Sequence, residues 1–343
     1  MKAEEYLQGL TVYDEPIHQS TVSSALGCMR YFLFREKWRL FPKNAPYTPA
    51  AGLGTLFHRF MELGKDRLGE VAEEVRAKQA ELMDRISKGE DLTGDLTRTM
   101  NGMTEKHDKA LMMAHMVWAK YPEDSQEIIC SEQKVRMTLP GIGTIEGMLD
   151  KLVKFESGKF WIRDYKTSSR DCKYTMTGYL WGIQLRVYRL LAEAYLRATQ
   201  NTGVTGFVLD VVQTPTIKFC KKDKDFNAYM ERCKVWYDEK DKQAIVSAGY
   251  VFQEPILNRE LTNALSTVAL FKSMPADVTE FHRDVTGRYC TLWDKVCVYA
   301  DLCNMSVDGW PGIIEQSYEI KPPAPIDEDV LVLEEGKEEV KDA

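Results

Sequence analysis

Four short pieces decide how this chain reads: G-M-L-D at 147–150, E-S-G at 156–158, D-Y-K-T at 164–167 and Q-L-R-V-Y at 184–188. Ile145, Leu149, Leu152, Val153 and Phe155 precede the Ser-Gly pair, and Phe160, Trp161, Ile162 and Tyr165 follow it. Aromatic and β-branched residues on both sides of such a turn predict a β-hairpin. With the turn centred near Ser157, antiparallel register sets Asp150 opposite Asp164. Opposed residues share a face, with β-carbons about 4.5–5.5 Å apart. Side chains alternate with period two, so Lys166 joins the face of Asp164. Two acids held that close need a cation between them or a proton on one of them. A hard divalent ion such as Mg²⁺ or Mn²⁺ suits oxygen ligands. The lysine could orient or deprotonate a water, or stabilise charge on a phosphate. The plain alternative is a surface hairpin whose acids pair with Lys151 and Lys166.

Bulk properties set the outer limits. The 343 residues are 44% hydrophobic and 28% charged, an ordinary globular composition. No run is long or apolar enough for a membrane span, and the Met-Lys-Ala-Glu-Glu-Tyr start lacks a signal peptide's apolar core. The expectation is an intracellular, cytoplasmic protein that avoids membranes. Net charge is −7, but Pro325–Ala343 holds eight acids against two bases, so the rest of the chain is near neutral. Composition alone therefore predicts no basic groove.

Outward from the hairpin, a helix is predicted over about Ala25–Trp38, capped by Ser23-Ser24 and carrying Cys28. Another is predicted over Ala51–Gly64, where Gly54, His58 and Glu62 fall at i, i+4, i+8 on one face. A His–Glu pair at this spacing is commonly a solvated one. Gly54 fits a place where another backbone or a ligand comes close. Arg67–Lys120 reads as a charged helical insert broken at Gly89–Gly94, and Ile128–Leu139 as a strand containing Glu132. Gly178–Thr199 is strongly amphipathic, with Gln184 and Tyr188 one turn apart. A strand over Gly203–Val212 and helices over 221–248 and 256–272 follow.

Cys290, Cys297 and Cys303 stand at C-x6-C-x5-C, three cysteines within fourteen residues. In a reducing compartment that spacing points to metal ligation rather than disulfides. The C-x2-C pairs of a zinc knuckle are missing, and thiolates with a distant fourth partner suit an iron–sulfur cluster. Cys28 is the first choice for the fourth ligand, with Cys220 and Cys233 next. Five segments are expected: an N-terminal arm (1–50), a helical segment with the His (51–130), a core (131–250), C-terminal helices with the cysteines (251–305) and an acidic, disordered tail (306–343).

Taken together these residues resemble the PD-(D/E)XK nuclease superfamily, in its RecB-like branch of iron–sulfur exonucleases. Gly54 and His58 are similar to the family's G-x-x-x-H, Gly147 and Asp150 to its G-x-x-D, Asp164 and Lys166 to its D-x-K, and Gln184 and Tyr188 to its Q-x-x-x-Y. The six-residue first gap between cysteines looks more like phage members than CRISPR-associated ones. The resemblance implies an α/β fold, a mixed sheet of four or five strands flanked by helices, with a helical insert and an Fe–S clasp. It implies one or two Mg²⁺ or Mn²⁺ ions on His58, Asp150, Asp164 and the Tyr165 carbonyl, with Lys166 positioning the nucleophile. Gln184 and Tyr188 would orient Lys166 and the substrate, and Glu132 and Glu62 are candidate outer acids. A 4Fe-4S cluster, or Zn²⁺ in its place, would sit on Cys28, Cys290, Cys297 and Cys303. The implied function is a metal-dependent DNA nuclease, an exonuclease first and an endonuclease as the other choice, acting on single strands or duplex ends in recombination, repair or replication. It would work in a host cytoplasm if phage-encoded, with a helicase or single-strand-binding protein as partner. A catalytically inactive DNA-binding or assembly subunit is the alternative.

Overall fold

The computed structural model describes residues 3–43, 52–91, 94–121, 126–253, 255–256, 258–284, 286–294, 296–323 and 330–334. In chain order come α1 (Ala3–Gln8), α2 (Gln19–Gly27), α3 (Met29–Phe32), a π-helical turn over Leu33–Lys37, and β1 (Leu40–Pro42). Then follow α4 (Leu53–Leu63), α5 (Leu68–Ser87), α6 (Asp95–Lys120), β2 (Gln126–Leu139), β3 (Gly143–Phe155) and β4 (Phe160–Ser168). The second half holds α7 (Cys172–Trp181), α8 (Ile183–Gln200), β5 (Val204–Gln213), α9 (Phe226–Glu239), α10 (Asp241–Ala244), β6 (Ile245–Val251) and α11 (Arg259–Ser273). It closes with α12 (Ala300–Asn304), α13 (Trp310–Ser317), β7 (Tyr318–Ile320) and β8 (Leu331–Glu334).

Six strands form one mixed sheet in the order β6-β5-β4-β3-β2-β8. The hairpin register is the one the turn predicts: Lys151 faces Arg163 and Lys154 faces Phe160. Gly158, at φ +75°, makes the turn, and its amide closes on the Phe155 carbonyl at 2.8 Å. β5 runs parallel to β4 after the α7–α8 crossover, while β6 returns antiparallel. Residues of β5 divide between two cores. Phe207, Leu209 and Val211 join Leu185, Leu191 and Leu196 of α8, and Val212 joins Phe57 and Phe60 of α4 and Trp236 of α9. The sheet is therefore covered on both faces, as its apolar central strand requires.

Several expectations need correction. The helix predicted over 25–38 begins at Gln19 and breaks at Cys28, whose backbone is extended. Ser23 and Ser24 do not cap it; their hydroxyls donate back to the carbonyls of Gln19 and Ser20 inside the helix. The break is held from outside: the Arg30 amide donates to the His282 carbonyl and the Asp284 amide to the Cys28 sulfur. The helix predicted over 178–199 divides at Gly182, which is extended (ψ 154°) and precedes α8. The one predicted over 221–248 ends at Ala244, because Ile245 onward pairs with β5. The charged segment 67–120 is more than a solvated insert: Val71, Val75, Leu82, Met103 and Met113 bury one face of it in the second core. The sheet start at Gln126 lies ahead of the expected core boundary at 131. In the segment from 306, expected to be disordered, α13, β7 and β8 are ordered; β8 makes the sixth strand by pairing parallel with Val135–Thr138. Residues 335–343 lie outside the described residues.

Candidate active site

α4 and α8 approach the sheet where β3 and β4 begin to separate. Gly147 makes one approach feasible, since a β-carbon there would come within 2.7 Å of Leu191 Cδ1 on α8. Gly54 makes the other, with the hydroxyl of Thr167 only 3.1 Å from where a β-carbon would stand. The close neighbour expected for Gly54 is thus the end of the D-x-K strand.

Asp150 is the hub. Its Oδ2 accepts from the Tyr165 amide at 3.2 Å and lies 3.3 Å from His58 Nδ1 and 3.9 Å from Lys166 Nζ. Glu132 completes the arrangement. Ser131 faces Lys151 and Gln133 faces Leu149, so Glu132 is opposite Asp150, and its left-handed backbone (φ +47°) departs from the regular strand there. Ligand atoms of His58, Glu132 and Asp150 lie within 4.8 Å of one another, the one such group among the described residues. Glu132, expected only as an outer acid, is therefore as close to the centre as His58. Asp164 is gripped by Lys166, whose Nζ is 2.8 Å from Oδ1 and 2.7 Å from Oδ2. Oδ2 is buried and makes no hydrogen bond despite that distance.

Electrostatics follow from burial and crowding. Burial works against charge on Asp150, yet His58, Lys166 and the Tyr165 amide outweigh it and hold its carboxyl below the usual range. Asp164 goes the other way: burial, with Asp150 nearby, pushes it up to about 7 against the pull of Lys166. Glu132 also rises to about 7, through burial and then the charges of Asp150 and Glu62. Burial disfavours the Lys166 ammonium, but Asp164 and Asp150 more than reverse this and keep it charged well above neutral pH. The set has surplus acid, one orphaned carboxylate oxygen and a mixed oxygen–nitrogen donor group, which fits a hard divalent cation.

Of the other expected residues, Gln184 hydrogen-bonds Tyr188, whose hydroxyl is pushed up to about 12 by burial and by Asp150. Glu62 is less involved: it pairs with Arg59, which also holds Glu74 at 2.7 Å. Two features were missed. Tyr179 on α7 places its ring 5.4 Å from Lys166 Nζ. Behind β4, Arg163 pairs with Asp210 at 2.5 Å, both nearly inaccessible, and Lys151 and Arg163 each stand 5.5 Å from the Tyr165 ring. Only the break at Gly182 could have separated Tyr179 from α8. A buried Arg on an otherwise apolar strand was the available signal for the second.

A separate cavity of about 180 Å³ is lined by Cys28, Cys290, Cys297 and Cys303. Burial raises the thiols of Cys297 and Cys303, with the other cysteine sulfurs adding to it. The four sulfurs do not form a group within 4.8 Å. Cys220 and Cys233, the next candidates, are elsewhere, in and after the β5–α9 connection.

Among the described residues no helix is long and apolar enough to cross a membrane. A search of curated proteins found no match. Among solved structures, the crystal structure of SSO0001 aligns at 12% identity over 88% of this chain and 91% of its own, with a TM-score of 0.30. A family model described as the PD-(D/E)XK nuclease superfamily matches residues 17–304. By that match, and with a six-stranded mixed sheet between helices and an acidic centre beside Lys166, the chain belongs to the PD-(D/E)XK nuclease superfamily.

Proposed function

We propose that the protein is a metal-dependent DNA exonuclease of the RecB-like, iron–sulfur branch, of the phage type, acting in recombination or repair beside a helicase or single-strand-binding protein. The observation that carries this is the meeting of His58, Glu132 and Asp150 next to the Asp164–Lys166 pair. Those three would hold Mg²⁺ or Mn²⁺, with Asp164 and the Tyr165 carbonyl as further ligands. A bound divalent ion supplies positive charge against the scissile phosphate and lowers the pKa of water. The rest falls to the chain itself. An ammonium kept charged by two acids is a donor rather than a base. Lys166 therefore orients the attacking water or a phosphoryl oxygen by donating Nζ–H. The Tyr165 amide fixes Asp150, and Tyr188 with Gln184 covers the α8 side of the site.

The cavity lined by Cys28, Cys290, Cys297 and Cys303 is where the proposed iron–sulfur cluster, or Zn²⁺ in its place, would sit. The function is tested by anaerobic purification and digestion of end-labelled single- and double-stranded DNA with Mg²⁺ or Mn²⁺. Lys166→Ala is expected to slow digestion by about 10²-fold or more. Equal digestion by wild type and variant overturns the reading.

A further inference from the structure

β4 and β5 are adjacent and parallel, with Ser168 facing Gln213, so the connections that follow them leave the sheet side by side at the same end. The Thr214 amide donates to the Ser168 carbonyl at 2.7 Å and ties the two together. Ser168 is two residues beyond Lys166, so both connections begin at the mouth of the active site.

Their side chains differ from the rest of the surface. Among described side chains, Tyr174 and Phe219 are the two aromatics that stay mostly exposed, at 64% and 54%. Tyr174 is in the first turn of α7, directly after the first connection, whose Arg170 guanidinium stands 5.5 Å from its ring. Phe219 is on the second, edge-on to Tyr229 with centroids 5.9 Å apart. Phe219 follows Thr214 by five residues, which bounds their separation at about 18 Å.

The charge is as uneven as the aromatic exposure. Much of the cationic charge on and beside α5 and α6 is paired with acids: Arg67 with Glu70, Lys78 with Glu81, Arg85 with Glu90, Lys88 with Asp84 and Arg98 with Asp95. Lys218, Lys221, Lys222 and Lys224 are exposed and, among the described residues, make no ion pair. The nearby buried acid, Asp223, is taken by Arg232 at 2.6 Å, and Arg232 also holds the Lys218 carbonyl at 3.0 Å. The loop is thus pinned from beneath while its ammonium groups face solvent. Aromatic faces interleaved with unpaired cations are what a single strand needs, since exposed bases stack on rings while the backbone follows the charge.

We infer that the β4–α7 connection with the first turn of α7, and the β5–α9 connection, form a track for single-stranded DNA leading into the active site, with Tyr174 and Phe219 as its stacking platforms and Lys218, Lys221, Lys222 and Lys224 along its phosphates. This rests on the nuclease reading for the direction of travel, but its test does not need cleavage. Fluorescence anisotropy with the full chain, purified anaerobically and without added divalent cation, compares a labelled oligothymidine with a blunt duplex of the same length. The oligothymidine binds tighter. Phe219→Ala and Tyr174→Ala each weaken it roughly tenfold, and Phe219→Tyr restores most of the loss. The fourfold lysine-to-alanine variant lowers the slope of log affinity against log salt by about 3. Lys88→Ala, just past α5, binds as wild type does. Thermal melting at the wild-type temperature keeps misfolding out of the comparison. Preference for duplex, or wild-type binding by folded track variants, overturns the inference. Digestion that needs Lys166 but ignores the track variants sinks the track alone. Strong strand binding with no digestion sinks the nuclease reading alone.

Discussion

At Glu132 a left-handed backbone and a buried carboxylate sit opposite a second acid. The free energy of that crowding is readable through pH. Folding raises Glu132 from an ordinary value of 4.5 to about 7, and Asp164 rises likewise. A carboxyl raised on folding stabilises the native state below its unfolded pKa, and that contribution is lost as pH climbs through the folded value. The metal-free protein should therefore lose melting temperature between about pH 4.5 and 7, and Glu132→Gln should flatten the slope. Parallel curves for variant and wild type would count against this assignment. Arg163 poses the opposite problem, a buried cation whose partner Asp210 has its Oδ1 unbonded. Arg163→Ala leaves Asp210 buried alone and should cost about 3–5 kcal/mol in urea unfolding. The double change Arg163→Met with Asp210→Leu should recover most of it. A single variant as stable as wild type would refute the coupling.

Between elements, the site depends on two close approaches to the sheet. A methyl at Gly147 must displace Leu191 Cδ1, which is fully buried, and disturb Tyr188 beside it. Gly147→Ala should cost about 1–3 kcal/mol, read as a lower denaturation midpoint. Gly54→Ala meets only the Thr167 hydroxyl at 3.1 Å and gains helix propensity, so its midpoint should move far less. Equal shifts would mean that helix packing, rather than these contacts, sets the cost. The same elements show how far local pattern reaches. The Ser-Gly turn, the period-two hairpin and the amphipathic α8 all obey short-range rules. The breaks at Cys28 and Gly182 do not, because extended backbone at Cys28 is held by residues 282–284 and Gly182 re-aims α7 to bring Tyr179 toward Lys166.

For the molecule as a whole, the cysteine cavity joins the first helices to the last. Around it, the Tyr289 hydroxyl donates to the Ser23 carbonyl and that of Tyr299 to the Leu40 carbonyl, each at 2.6 Å. The proposed clasp from residue 28 to 290 would close a loop of about 260 residues, and closure entropy grows only slowly with such length. Its effect should come from fixing both ends of the core, since metal binding and folding are linked. Cys297→Ser should lose iron, visible absorbance and soluble yield together, and melt several degrees lower. Unchanged melting in a colourless variant, or zinc in place of iron in the wild type, would contradict the proposal.

Residues that the structure brings together were legible from their order alone: the acid opposed across a turn, the lysine two positions on, the helical histidine, and the spaced cysteines that line one cavity. Turn geometry and side-chain alternation are short-range effects that a few neighbours determine. Tertiary structure decided what no window of sequence contains. It set Glu132 against Asp150, recruited β8 to the sheet edge, hid a charged pair behind β4, and brought the ends of β4 and β5 side by side. Each depends on which distant surfaces meet, and that is settled by burial summed over the whole chain.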